Sequence, residues 1–197
     1  MRNIEFFRFI TVDFISCLIY FSCFAQTQGQ ITSNDGRDDT LQNGETYILA
    51  AVDDSGQLHI KTSSSRDIFI QKDSAQTEFD DIRISDDGQK VGWLAMYDNV
   101  ATSYPIPLEL NIYSGGRIHK FTGIGLPIWQ WEFTADGKQI AYEQETVHGG
   151  WGIHYELRVI DTEQLIELYE PVYGPYNQPL PVQKNVPEWV EELNNKK

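Results

Sequence analysis

Two stretches of this chain share one plan. "ISDDGQKVGW" begins at residue 84 and "FTADGKQIAY" at residue 133. Each has an apolar residue, a hydroxyl residue, a tight Asp-Gly turn, a polar pair and a second apolar run. Gly137 lies 49 positions after Gly88, and the match extends on both sides of the turn. Ser85 meets Thr134, Asp87 meets Asp136, Val91 meets Ile140 and Trp93 meets Tyr142. Downstream, Leu108 meets Leu157 and Leu110 meets Val159; after a one-residue slip Ile118 meets Ile166. A self-similar period of about 48 residues belongs to repeat architectures built from one supersecondary unit.

Each copy divides into four short runs. They fall at 81–85, 90–97, 108–113 and 117–122, then at 129–134, 139–145, 154–160 and 164–169. Turn residues separate them ("DDG", "SGG", "ADG", "DTEQ"). Alternation is clear in "LELNIYS" and "YELRVID", where every second residue is apolar. An aromatic share of 13% favours strands as well. Four antiparallel strands per unit make a propeller-type blade.

On these residues the chain resembles the WD-like β-propeller repeat of the TolB type. "FTADGKQIAY" is close to that family's strand–Ser-Pro-Asp-Gly–strand signature, and "ISDDGQKVGW" is a looser match. The resemblance covers Asp81 to Glu170. It implies a noncatalytic role in which the repeats present a surface. Complete propellers have four to eight blades. Residues 45–80 supply only about three further strands, with a turn at Asp53–Gly56, and read as a partial blade. The expected fold is all-β: two to three four-stranded antiparallel blades, an incomplete or open propeller, and a short C-terminal helix. The expected division is 45–80, 81–122 and 129–170 for the units, with a proline-rich tail at 171–197. In that tail Pro187 opens a helix on which Trp189, Val190 and Leu193 form an apolar face, suited to cap the last blade or bind a partner.

Before the repeats, residues 1–25 read as a signal peptide. Arg2 and Arg8 precede the uncharged run "FISCLIYFSCF", and the chain turns polar after Ala25. The protein is therefore expected to be secreted or periplasmic. A lipoprotein anchored through Cys23 and a retained anchor are the other two readings; a membrane insertion after signal cleavage is not expected. Residues 26–44 read as a flexible lead-in. Cys17 and Cys23 are the sole cysteines, so the body can form neither a disulfide framework nor a Cys-based zinc site.

A net charge of −14 argues against nucleic acid, whose phosphates require Lys and Arg. A protein partner or a homo-oligomer suits the fold better. No phosphate-cradling Gly-rich loop, Gly-x-Ser-x-Gly elbow or His-Glu-x-x-His helix occurs, and no cofactor is expected. The stretch richest in chemistry is "YEQETVHGGWGIHYE". There Glu145, His148 and His154 could hold a metal ion, which makes a metal-dependent hydrolase using the 142–156 loop the alternative function. The equivalent loop in the other copy carries Tyr97, Asp98, Asn99 and Tyr104. Both loops join second to third strands and so leave their sheets at one end. Together with His148 and Trp151 those four residues form the candidate ligand-binding rim, unless the loops merely connect strands. Trp129 and Trp131, two apart, are expected on one face, for packing between units or for stacking on a ligand.

Overall fold

The turns explain the hairpins. Ser85 Oγ donates to Asp87 Oδ1 at 2.6 Å, and that same oxygen accepts the Gln89 N–H at 2.9 Å. Thr134 Oγ1 and Asp136 Oδ1 repeat the bond at 2.8 Å, with the Lys138 N–H as the second donor at 3.0 Å. Each side chain thus imitates a turn of backbone, and Gly88 (φ 67°) and Gly137 (φ 65°) supply the left-handed residue that follows. The Lys138 N–H and the Thr134 hydroxyl favour the Asp136 carboxylate and hold its pKa below the ordinary aspartate value. Asp53 does the same work earlier in the chain, accepting the Ser55 and Gln57 N–H groups.

The computed structural model describes residues 31–33, 40–148, 152–173 and 181–195. The signal-peptide reading, Cys17, Cys23 and Trp151 lie outside them. Among the described residues, twelve strands form three four-stranded antiparallel sheets that do not close into a barrel. The first holds β1 (Ile31–Ser33), β2 (Tyr47–Val52), β3 (Leu58–Thr62) and β4 (Asp67–Ile70), in the order β1-β4-β3-β2. The second is a meander of β5 (Gln76–Ile84), β6 (Lys90–Tyr97), β7 (Ile106–Ser114) and β8 (Arg117–Phe121). The third is a meander of β9 (Ile128–Phe133), β10 (Gln139–Gln144), β11 (His154–Val159) and β12 (Leu165–Tyr169). The helix α1 (Glu188–Asn194) follows.

Two boundaries differ from the sequence reading. Residues 76–80 belong to β5 of the second sheet, not to the first unit. The first sheet reaches four strands by taking one, β1, from the lead-in: Ile31 pairs with Ile70, Thr32 with Phe69 and Ser33 with Ile68. A strand added at an edge needs only main-chain hydrogen bonds, so a segment poor in apolar residues can supply it.

The sheets stack in chain order because alternate residues of each strand face opposite neighbours. Val91 and Trp93 of β6 pack with Leu58, Ile60, Ile68 and Ile70 of the first sheet. Leu94 points the other way, to Ile128, Trp131, Ile140 and Tyr142 of the third. From the far face of the third sheet Ala141, Tyr155 and Leu157 meet Val190 and Leu193 of α1.

A buried carboxylate ties down the entry to the first sheet. Glu45 is 6% exposed. It accepts hydrogen bonds from the Ser64 hydroxyl, the Gln42 N–H at 3.0 Å and Arg66 Nη2 at 3.1 Å. Burial opposes the charge, but Ser64, Thr62, Gln42 and Arg66 outweigh it and bring the pKa from 4.5 to about 2. A depressed carboxyl stabilises the fold fully above its unfolded value. That contribution fades as pH falls from about 4.5 toward about 2. Glu45→Gln should therefore cost about 2 kcal/mol at neutral pH, the scale of charge-assisted hydrogen bonds lost in a buried site. In urea titrations the gap between wild type and variant should close across that acid window. A gap of constant size down to the lower limit would remove the carboxylate from the account.

Candidate functional site

The loops at 98–105 and 145–153 connect equivalent strands of the second and third sheets, as the repeat requires. Their residues divide into those held by the scaffold and those left open. Tyr97 ends β6, and its hydroxyl donates to Asp73 Oδ2 at 3.3 Å. Burial, then the Glu109 and Asp73 carboxylates, push its pKa up. Lys120 Nζ lies 3.0 Å from Glu109 and 3.4 Å from Asp73, which completes a polar cluster over the second sheet. Asn99 shapes its own loop: Oδ1 accepts the Ala101 and Thr102 N–H groups at 2.8 and 3.0 Å, and Nδ2 donates to Thr102 Oγ1 at 2.6 Å. Asp98, Tyr104 and His148 are exposed. Of the six rim residues, then, three face solvent, two are committed to the scaffold, and Trp151 lies outside the described residues.

Glu145, His148 and His154 are not gathered into a metal site. Among the described residues no group of three or more His, Cys, Asp or Glu side chains is placed to hold a metal ion. His148 is on the exposed loop, whereas His154 is buried at the start of β11. Its Nε2 is 2.8 Å from Glu156 Oε1, and its Nδ1 is 3.0 Å from Glu170 Oε1. The other Glu156 oxygen accepts from the Tyr142 hydroxyl and from Arg158 Nε. Burial raises the Glu156 carboxyl, but Arg158, Tyr142 and His154 overcome it and leave the pKa below the ordinary range. Tyr142 is pushed up by its own burial and then by Glu156. A carboxylate, an imidazole and a phenol so arranged could pass protons. Here they bond one another beneath the surface and join β10 and β11 to Glu170, just past β12.

The stretch singled out in the sequence contains Tyr142, His154 and Glu156, but their bonds to one another went unread, as did Arg158 and Glu170 as partners. The signal was present in part: His154, Glu156 and Arg158 alternate along one strand and so share a face. Tyr142 stands directly opposite Glu156, which only the register reveals.

Trp129 and Trp131 also need correction. The register slips between Glu143 and Gln144, which leaves Trp129 as an extra residue opposite no partner. Ile128 and Trp131 share the core instead, and Trp129 Nε1 donates to the Glu145 carbonyl at 3.1 Å.

A groove beside the tail went unread. An open groove of about 410 Å³ runs between α1 and strands β9 and β10, with Phe133, Trp189, Glu132 and Glu192 among its walls. Its far wall comes from the tail, over a hundred positions after Asp86 on the near side, so no local pattern announces it. Among the described residues no helix is long and apolar enough to cross a membrane. Compared with known proteins, the chain matches no family model and no curated protein.

Proposed function

We propose that this chain is an exported, noncatalytic binding or scaffold protein of the WD-like, TolB-type repeat kind, presenting a propeller-type surface to a protein or another ligand. The observation that carries this reading is the division of polar groups. Those with the chemistry for proton transfer, Tyr142, His154 and Glu156, are tied to one another and to Arg158 by hydrogen bonds. Asp98, Tyr104 and His148 stand exposed on loops that rigid sheets hold at one end. Binding residues concentrate on loops so placed. Export rests on the basic start, apolar run and polar switch of the first 25 residues.

A pull-down from the native host with the mature protein tests the reading. The triple variant Asp98→Ala, Tyr104→Ala, His148→Ala should capture its partner at least about tenfold less well, as the loss of a binding hot spot does. Its melting temperature should be unchanged, since all three side chains are exposed. Full capture by the folded variant would refute the rim.

A further inference from the structure

The outermost strands of the second and third sheets are finished differently. β8 carries Arg117 and Lys120 among buried His119 and Phe121, and Lys120 is held by Asp73 and Glu109. Charged side chains of that kind blunt an edge against further pairing. β12 carries no basic residue, and its one charged side chain, Glu167, stands among exposed apolar ones. It pairs with β11 on one side and with no strand on the other among the described residues. Leu165, Ile166 and Leu168 are 41%, 47% and 47% exposed. β2 also exposes Ile48 and Leu49, but β5 packs alongside it.

Charge narrows the occupant. Asp161, Glu163, Glu167 and Glu170 surround the apolar residues of β12, and all four are exposed. A second copy paired antiparallel about the centre of this strand would set Glu167 against Glu167. Like charges directly opposite destabilise a pair of strands, and the chain as a whole carries −14. We infer that β12 is a docking edge for an extended partner segment with alternating apolar and basic side chains, which adds to the third sheet as a fifth strand. Main-chain hydrogen bonds would supply the pairing, Ile166 and Leu168 the apolar contacts, and the carboxylates the selection for a basic partner. This rests on the binding-protein reading but uses a surface separate from the rim.

The test is fluorescence anisotropy with the full chain and two short synthetic peptides, one alternating valine with lysine, the other valine with glutamate. The basic peptide should bind and the acidic one should bind at least about tenfold more weakly, given the sign of the edge. Ile166→Lys and Leu168→Lys alter exposed positions and leave the core intact. Each should weaken the basic peptide at least about tenfold, by placing like charge against it. The rim triple variant should bind the peptide as wild type does, so that failure at the rim and failure at β12 are read separately. Equal binding of both peptides, or unchanged affinity in both lysine variants, would overturn the proposal. So would self-association of the wild type that Ile166→Lys abolishes, since the edge would then belong to a second copy.

Discussion

Gly92→Val should prevent the second and third sheets from closing on each other. A Cβ built at Gly92 would stand 2.3 Å from Trp131 Cη2, 2.8 Å from Trp131 Cζ3 and 2.7 Å from Ile112 Cδ1. Real Cβ atoms do not approach so closely, and neither neighbour can yield easily. Ile112 is fully buried and Trp131 is 1% exposed. Arg83 lies over the Trp131 ring at 4.9 Å, and its Nη1 donates to the Trp131 carbonyl at 2.6 Å. Phe133 meets the same ring edge-on at 5.2 Å.

Two effects oppose each other in Gly92→Ala. Restricting the unfolded chain favours alanine by about 0.4–1 kcal/mol. Overpacking a filled core costs about 1–3 kcal/mol, and the contact distances place this site at the upper end. The steric cost wins, and valine adds two more methyl groups to the same space. Denaturant unfolding should show alanine destabilised by about 2 kcal/mol and valine by more, to the point of poor folding. The sign that Trp131 is responsible lies in a double mutant. Both ring atoms in the clash belong to the six-membered ring of the indole, which Trp131→Phe draws back. The pair Gly92→Ala and Trp131→Phe should therefore cost less than the sum of its singles. Simple additivity would show that the ring moves aside and that Gly92 is not the socket it occupies.

The same comparison shows what the sequence made legible. Gly92 and Ala141 occupy equivalent places in the two copies, and both are small. The first receives Trp131 from the next sheet, and the second receives Val190 and Leu193 from α1. The repeat could be read because Asp-Gly turns and strict alternation are local signals, carried by adjacent residues. β5 was read too short because its alternation is interrupted: Asp81 has a positive φ of 44°, and the register shifts between Asp80 and Arg83. Its early residues, "QTEFD", also have a single apolar member. β1 went unread since three residues carry no period. The rim residues could be placed on loops by position alone. Which of them are open could not, because Tyr97 depends on Asp73, 24 positions away, and Lys120 reaches the same carboxylate from 47.

Removal of residues 186–197 should lower the melting temperature and raise the oligomeric state. α1 has seven residues, too few to persist alone in water, so it exists by docking. Glu188 and Glu191 in its first turn suit the helix dipole but add only fractions of a kcal/mol. The docking itself comes from Val190 and Leu193, 1% and 2% exposed, set against Ala141, Tyr155 and Leu157. Trp189 closes one side: its ring meets Tyr155 edge-on at 6.5 Å, and Nε1 donates to Glu167 Oε2 at 2.9 Å. Leu193→Ala alone should cost about 2–5 kcal/mol, the range for emptying a buried leucine site. In a chain of this size that is a drop of roughly 5–15 °C. Deletion goes further, since it uncovers the whole far face of the third sheet. A stack of sheets protects its interior faces by neighbours, and an end face must find a cover. Without α1 the exposed Tyr155 and Leu157 should seek each other across two copies, which light scattering would register as added mass. Leu193→Ala tests stability while the helix remains, and the deletion tests the cover itself. An unchanged melting temperature together with an unchanged mass in the deletion would show that α1 covers nothing the sheets need covered.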